Sequence, residues 1–246
     1  MSEMVRTVLN GEYELVLPRH RAERPEWFTE TGWERARLAA LHDTITAQSD
    51  PVVYYAGAEE GEMAALCQIW GAQVALFEPN PLVWPNIRAI WKANQLDHPL
   101  KCFVGFASDV TALFPPRAAT VDLDNLNGWP RCAYGEVIAD HGFKELYQQA
   151  DAFPQVRIDD VVAAGFPPPT VLTFDVEGSE WQLLRGAETT VREHKPVIYA
   201  SIHPEFMFHQ WGEYSRDLRH WIIDRGYRET LLDYEHELHA KYVPTP

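Results

Sequence analysis

The chain has 246 residues, of which 46% are hydrophobic and 23% charged, and its formal net charge is −15. This mixture is typical of a soluble globular protein, and no apolar run is long enough to cross a bilayer. The excess of acidic side chains repels a phosphate backbone, so nucleic acid is not expected as a partner.

The first 50 residues predict a small hairpin followed by a helix. Two short apolar stretches flank Asn10 and Gly11, and an Asn-Gly pair between such stretches is a strong hairpin signal. The hairpin is therefore expected within residues 7–17. Leu38, Leu41 and Ile45 then recur at helical spacing, which predicts a helix leading into the main domain.

From residue 51 onward, strands alternate with helices. Residues 52–55 and 74–77 are the first two predicted strands, and Pro81 suits the first turn of the helix that follows the second. Residues 171–174 and 197–202 are two further predicted strands. The helix between them is expected to bury one face, made of Trp181, Leu184, Ala187 and Val191.

The chain end differs, because residues 227–232 and 238–243 predict two strands joined by a short turn. Helical crossovers between the earlier strands imply a mostly parallel sheet with helices on both faces. We therefore predict a three-layer, Rossmann-like α/β fold with an antiparallel C-terminal edge strand and a small N-terminal hairpin. It forms one domain over 1–246, with the hairpin and helix in 1–50 and the core in 51–246.

A third predicted strand ends near Val104, and an insert at about 110–157 separates it from the fourth at 171–174. Long insertions of this kind are usually functional. It is rich in aromatic residues. Trp129 and Tyr134 are candidates for stacking on the flat face of a substrate. The alternative is that these rings pack the insert onto the domain.

A nucleotide-type site is predicted where the first core strand ends. Gly57 and Gly61 lie where the backbone must turn sharply before a helix, and Glu78 ends the next strand about 20 positions later. An acid at that distance binds a ribose diol in folds of this class. A glycine pair alone would indicate only a tight strand-to-helix turn.

Charge bears on which nucleotide the turn accepts. Glu59, Glu60 and Glu62 crowd the helix N-terminus, where a dinucleotide would place its pyrophosphate. Like-charge repulsion disfavours that anion, whereas the cationic S-adenosylmethionine carries no phosphate. The alternative is that these glutamates favour the helix dipole and point to solvent.

Four segments resemble, in order, the motifs of FkbM-type methyltransferases, and the likeness covers roughly residues 30 to 232. The segments are Gly57-Ala58-Glu59-Glu60-Gly61, Phe77-Glu78-Pro79-Asn80-Pro81, Phe174-Asp175-Val176-Glu177-Gly178-Ser179-Glu180 with Leu184-Arg185-Gly186-Ala187, and Lys195-Pro196-Val197. The resemblance implies an S-adenosylmethionine-dependent methyltransferase that methylates a hydroxyl of a sugar, glycan or natural product.

By the same resemblance, the cofactor lies against two groups of residues. Glu78 would bind the ribose beside Pro79 and Asn80, near the turn of Gly57, Ala58 and Gly61. Ala107, Ser108 and Asp109 would lie near the adenine. The family has an acid at the position of Tyr55, where it helps to hold the cofactor ammonium, and Asp175 can supply the missing charge.

Methyl transfer to a hydroxyl requires alignment and removal of the acceptor proton. His203 ends a strand on the predicted ligand edge and is a candidate base, with Asp175 as its rival. Asp175 can instead bind a divalent cation with Glu177, which the resemblance leaves open, and no metal ligand is assigned. Glu177 and Glu180 are candidate acceptor-binding residues or helix acids with a dipole role only.

Two other functions are compatible with parts of the sequence. A non-catalytic module that has lost cofactor binding would explain Tyr55, and a nicotinamide-dependent oxidoreductase would share the glycine turn. The oxidoreductase is disfavoured by the missing third glycine of the dinucleotide pattern. Cys67, Cys102 and Cys132 lack ligand-like spacing, and no signal peptide is evident, so a cytoplasmic location is expected.

Overall fold

A computed structural model describes residues 3–25, 32–80, 82–112, 154–234 and 237–246. The predicted N-terminal hairpin is confirmed as strands β1 (Met4–Leu9) and β2 (Tyr13–Pro18), which pair antiparallel. Asn10 and Gly11 adopt positive φ angles of 55° and 72°, as the tight turn requires. The Asn10 side chain also donates to the carbonyl of Trp33, at 2.8 Å, which ties the hairpin to the chain ahead of the core.

The central sheet has seven strands in the order β10-β11-β9-β8-β3-β4-β5. Strands β3, β4, β5, β8 and β9 are parallel, while β10 and β11 form the predicted antiparallel edge. Two short strands, β6 and β7, pair separately. The bounds are β3 (Val52–Ala56), β4 (Gln73–Phe77), β5 (Lys101–Phe103), β6 (Phe106–Ala107), β7 (Gln155–Val156), β8 (Val171–Asp175), β9 (Val197–Ile202), β10 (Tyr227–Tyr234) and β11 (Leu238–Pro244).

Helices cover both faces of this sheet. In chain order they are α1 (Arg19–Ala22), α2 (Arg35–Thr46), α3 (Glu62–Ile69), α4 (Trp84–Ala93), α5 (Ile158–Ala163), α6 (Glu180–Gly186), α7 (Glu188–His194), α8 (Pro204–Trp211) and α9 (Ser215–Asp224). One core cluster joins the sheet to the hairpin and to α2, α3 and α4. A second cluster joins the opposite face to α5, α6, α7 and α9. None of the helices described is long and apolar enough to traverse a bilayer.

The helix after β4 begins later than its proline predicts. Helix α4 begins at Trp84, and Pro85 rather than Pro81 lies in its first turn. Pro81 itself lies outside the described residues. Asn80 accounts for part of the delay, because its side-chain oxygen accepts a hydrogen bond from the backbone of Leu82, at 3.0 Å, and holds a local turn.

The single helix predicted after β8 is instead two helices. Helix α6 ends at Gly186, where a β carbon would lie 1.8 Å from the carbonyl oxygen of Ser108. Helix α7 then begins with Asp159 of α5 accepting hydrogen bonds from the backbone N–H groups of Thr189 and Thr190, at 3.1 and 2.8 Å. Both interactions are tertiary, so the helical periodicity alone does not reveal the break.

The order of the strands determines where a ligand can bind. Strand β3 lies between β4 and β8, and the chain crosses to opposite faces of the sheet on leaving β3 and β8. In open α/β sheets, the crevice at the carboxyl ends of such strands is the ligand site. Gly57 directly follows β3, and Asp175 ends β8, so both lie at this crevice.

Candidate functional site

A cavity of about 440 Å³ opens at the carboxyl ends of β3, β4 and β8. Seven predicted site residues line it, namely Gly57, Glu78, Pro79, Asn80, Ala107, Asp175 and Glu177. Seven others lie outside its lining, namely Tyr55, Ala58, Gly61, Ser108, Asp109, Glu180 and His203. Trp129 and Tyr134 lie outside the described residues, as does most of the predicted insert.

Glu78 is a buried carboxylate at the wall of this cavity, with 4% of its surface exposed. Its two oxygens accept hydrogen bonds from the backbone N–H groups of Glu59, at 3.0 Å, and Asn80, at 2.6 Å. Burial raises the pKa of Glu78 to about 8, and the two hydrogen bonds offset this only in part. Each carboxylate oxygen keeps a second lone pair, so Glu78 can still accept from a ligand diol.

The two predicted glycines have different roles. Gly57 has a φ of 76°, and a β carbon there would lie 1.6 Å from the carbonyl oxygen of Asp175, so the turn passes directly against the end of β8. Gly61 has a φ of 92°, and its β carbon would meet Ile87 at 3.0 Å. Gly57 therefore shapes the cavity, whereas Gly61 allows α3 to pack closely on α4.

The negative charge of the acidic turn is partly offset from within the chain. Arg21 of α1 forms ion pairs with Glu62 and, at 3.0 Å, with Glu59. His20 lies 2.9 Å from Glu60. The side chain of Glu59 is 62% exposed and points to solvent as the alternative interpretation expects, whereas Glu62 is buried and does not. Because Arg21 offsets part of the negative charge, the turn discriminates less between cofactors by charge than the sequence predicts.

Tyr55 faces the core instead of the cavity. It is 3% exposed and packs in the cluster formed by α2 and α3. The guanidinium of Arg37 lies 3.5 Å from its hydroxyl and donates to Thr173, at 3.0 Å. Arg37 is itself buried and ion-paired with Glu34. The position where the family has an acid is thus part of a buried polar network in this chain.

Four carboxylates surround the imidazole of His203, which is buried beneath the end of β9. Its Nδ1 lies 2.8 Å from Glu180, and its Nε2 lies 2.9 Å from Glu237. Asp175 and Glu177 approach the same Nε2 at 3.6 and 3.7 Å. Burial disfavours the imidazolium, but the hydrogen bonds to Glu180 and Glu237 outweigh it and raise the pKa of His203 to about 11.

The turn after β8 brings Glu177 to this group. Glu177 and Gly178 both have positive φ angles, of 52° and 101°. Gln210 of α8 holds the turn by donating to the carbonyl of Glu177, at 3.2 Å. Phe206, one helical turn earlier, stacks on the His203 ring with its centroid 5.5 Å away. Helix α8 therefore closes the wall of the cavity over the β8 turn.

Several residues of the site were missed in the sequence. Arg21, Arg37 and Glu237 come from segments without a motif, and Phe206 and Gln210 belong to a helix that was not predicted. Glu237 had a usable signal, because it directly precedes the last predicted strand. An antiparallel β11 beside β9 pairs Leu238 with Ile202, which places Glu237 at the carboxyl end of β9 next to His203.

Comparison with known proteins identifies the family. A model of the methyltransferase FkbM domain matches residues 55–229, which is more than half of the chain. No curated protein matches the chain in sequence. The solved structure of a methyltransferase FkbM from Methylobacillus flagellatus is similar, with 18% identity, a TM-score of 0.50, and coverage of 78% of this chain. The match covers 43% of that chain, so this chain spans less than half of it.

Two further solved structures share the arrangement less closely. A SAM-dependent methyltransferase from Agrobacterium tumefaciens has 10% identity and a TM-score of 0.49, with 100% of this chain and 71% of that chain covered. The tRNA (uracil-54, C5)-methyltransferase of Pyrococcus abyssi, in complex with S-adenosyl-L-homocysteine, has 15% identity and a TM-score of 0.47. That match covers 98% of this chain and 45% of the other. The predicted Rossmann-like fold is confirmed, and the chain belongs to the FkbM family of S-adenosylmethionine-dependent methyltransferases.

Proposed function

We propose that the chain transfers the methyl group of S-adenosylmethionine to a hydroxyl of a small molecule or glycan. The observation that carries this proposal is the placement of two unlike groups on one cavity. Glu78 lies on the β4 side, and Asp175 and Glu177 lie on the β8 side next to His203. Glu78 suits a ribose diol, whereas Asp175 and Glu177 suit an acceptor group that must lose a proton.

The cofactor fits the β3 and β4 half of the cavity. Its ribose hydroxyls donate to Glu78, which already has a fixed orientation through its two backbone hydrogen bonds. Ala107 and Phe106, both buried at the cavity wall, would contact the adenine. Gly57 would adjoin the methionine half, because the absence of a side chain there lets a ligand approach the backbone.

The chemical step is an in-line displacement. The acceptor oxygen forms a bond to the methyl carbon while the carbon–sulfur bond breaks, and the sulfonium becomes the neutral thioether of S-adenosylhomocysteine. The hydroxyl proton must leave the acceptor in the same event. Positioning of the two reactants in one cavity supplies much of the rate enhancement.

A carboxylate is the proton acceptor that this site supports best. Both nitrogens of His203 face carboxylates, so neither has a lone pair directed at an acceptor hydroxyl. Asp175 and Glu177 line the cavity and can be reached by the acceptor. His203 then acts as a positioning residue: hydrogen bonds to Glu180 and Glu237 fix its ring, which attracts Asp175 and Glu177 electrostatically at 3.6 and 3.7 Å.

We propose a sugar, glycan or natural product as the acceptor class, following the resemblance in sequence. The net charge of −15 disfavours nucleic acid, and we place the reaction in the cytoplasm. Calorimetric titration tests the cofactor directly. S-adenosylhomocysteine should bind with one site per chain, whereas NAD and NADP should not. Binding of a nicotinamide cofactor without binding of S-adenosylhomocysteine would overturn the proposal, and binding of neither would favour the non-catalytic module.

A further inference from the structure

The carboxylates around His203 hold more negative charge than one imidazole can neutralise. We infer that Asp175, Glu177 and His203 form a binding site for one divalent transition-metal cation at the acceptor side of the cavity. The inference deepens the proposed function and rests on it for the role of the ion, but not for the site itself.

Geometry brings the three side chains together. Two carboxylate oxygens and the imidazole Nε2 lie within 4.8 Å of one another, a separation that a single ion can bridge. Asp175 and Glu177 approach Nε2 at 3.6 and 3.7 Å, from the cavity side. Metal–nitrogen and metal–oxygen bonds of about 2.0–2.2 Å fit between donors at these separations with small shifts.

Counting protons shows why an imidazole alone does not satisfy this group. Nε2 carries at most one hydrogen, yet oxygens of Asp175, Glu177 and Glu237 all lie within 3.7 Å of it. Oδ1 of Asp175 is buried and accepts no hydrogen bond from any described residue. Its nearest cationic neighbour is Nε2 of His203, at 3.6 Å, beyond hydrogen-bond distance. A buried carboxylate oxygen without a hydrogen bond is costly, and a cation that contacts several oxygens at once removes that cost.

The second nitrogen of His203 is arranged as in metal-binding histidines. Nδ1 lies 2.8 Å from Glu180, which is fully buried and also accepts a hydrogen bond from the backbone N–H of Gly178. A carboxylate on Nδ1 fixes the tautomer and the ring orientation. Nε2 donates to Glu237, at 2.9 Å, so an ion at Nε2 takes the place of that hydrogen. Metal binding at Nε2 then displaces the proton from that nitrogen.

A second buried trio lies nearby, and its contrast with the first is informative. Glu34, Glu237 and His239 also approach one another closely enough for a metal. That trio has a cation beside it that a metal does not displace, because the buried guanidinium of Arg37 pairs with Glu34. In the first trio the cation is His203 itself, whose proton on Nε2 a metal replaces. Asp175 and Glu177, unlike those residues, line the cavity, so an ion there is open to a ligand.

The donor set indicates the kind of ion. One imidazole with two carboxylates suits Mn²⁺, Fe²⁺ or Zn²⁺ better than the all-oxygen sites that Mg²⁺ and Ca²⁺ prefer. An ion held by three protein ligands keeps positions open for the acceptor oxygen. By binding that oxygen, it lowers the pKa of the hydroxyl and orients it toward the methyl group.

The test is a titration of the full chain with Mn²⁺ alone. Binding is measured by electron paramagnetic resonance, as the loss of the signal of free Mn²⁺. We expect one bound Mn²⁺ per chain. Glu177→Gln and Asp175→Asn should each weaken binding by about 10- to 100-fold or more, a range seen even for outer-shell partners. The Glu177 side chain is half exposed, so its variant should fold normally, which circular dichroism checks.

Glu60→Gln is the matched control. It removes one carboxylate from the same cavity, but Glu60 pairs with His20 and Asn86 and does not contact the His203 group. Mn²⁺ binding should be unchanged in this variant. Absence of bound Mn²⁺ at about 1 mM, the weak end of specific affinity, would overturn the inference, as would equal losses in all three variants. No cofactor is present in this titration, so its failure leaves the S-adenosylhomocysteine result intact.

Discussion

Gly57 lies against Asp175 so closely that a β carbon at position 57 would be 1.6 Å from the carbonyl oxygen of residue 175. This contact joins the ends of β3 and β8, the two strands between which the cavity opens. The sharp turn at Gly57 and the position of Asp175 are therefore one structural feature. A change at either residue should alter both halves of the site.

Gly57→Ala should destabilise the fold and abolish cofactor binding. The left-handed φ costs an alanine about 1–2 kcal/mol, and displacing the end of β8 adds an overpacking cost of about 1–3 kcal/mol. Gly11→Ala is the matched control, because Gly11 has a similar φ of 72° and no atom of the described residues lies within 4 Å of the added carbon. In urea unfolding, Gly11→Ala should lower the free energy of unfolding only by the cost of the left-handed φ, without the overpacking cost. Equal losses for both variants would contradict the close approach.

Cofactor affinity should depend on pH through Glu78. Its pKa is raised to about 8, so the carboxyl is protonated in the free protein below that pH. Ribose hydroxyls donate to the ionised form, and binding below pH 8 must therefore expel a proton. The affinity for S-adenosylhomocysteine should fall by up to about tenfold per unit as pH decreases from 8 toward 6. In Glu78→Gln the affinity should no longer depend on pH in this range. If the dependence on pH persists in the variant, a group other than Glu78 causes it.

Tyr55→Phe should leave cofactor affinity nearly unchanged. The hydroxyl that it removes points to Arg37 within the core, and Tyr55 does not line the cavity. Calorimetric titration with S-adenosylhomocysteine measures the effect. A loss comparable to that of a cavity-lining residue would show that the hydroxyl anchors the cofactor, and would return position 55 to the role that the resemblance gives it.

Arg37→Met should be strongly destabilising. Arg37 and Glu34 form a buried ion pair, with 2% and 4% of their side chains exposed. Removal of the cation leaves the carboxylate of Glu34 buried without it, which costs about 3–5 kcal/mol. The exposed pair of Arg6 and Glu14 provides the comparison, since Arg6→Met should cost at most about 1 kcal/mol in urea unfolding. Recovery in the double variant Glu34→Gln/Arg37→Met would confirm that the unpaired charge is responsible.

Much of the fold could be predicted because it depends on local patterns. Strand β9 has the predicted bounds, and the hairpin follows from one Asn-Gly pair. The break between α6 and α7 could not be predicted, since it depends on Asp159 and Ser108, which are distant in sequence. Periodicity reports which face of a helix is buried and contains no information about a cap from another element.

The residues of the cavity, too, could be predicted only where their position follows from nearby sequence and not from contacts between distant segments. Glu78 could be predicted from its spacing after Gly57, and Asp175 from its place at the carboxyl end of a parallel strand, and both rules need only positions in the sequence. Tyr55 ends the predicted strand and is next to last in β3, but side chains alternate along a strand and this one points into the core. The pairing of Arg21 with the acidic turn joins residues about 40 positions apart, and no local pattern reveals it.

The dissociation constant of S-adenosylhomocysteine for the Glu78→Ala variant, measured at pH 8.5 by calorimetry, tests the central claim most directly. Glu78 is the charged acceptor of the ribose hydroxyls in this account, so its loss should weaken binding by about 1.5–3 kcal/mol, roughly 10- to 150-fold. Glu60→Ala removes the same charge from the same cavity and should leave the constant little changed. An unchanged affinity in Glu78→Ala, or an equal loss in both variants, would contradict the assignment of this cavity to the cofactor.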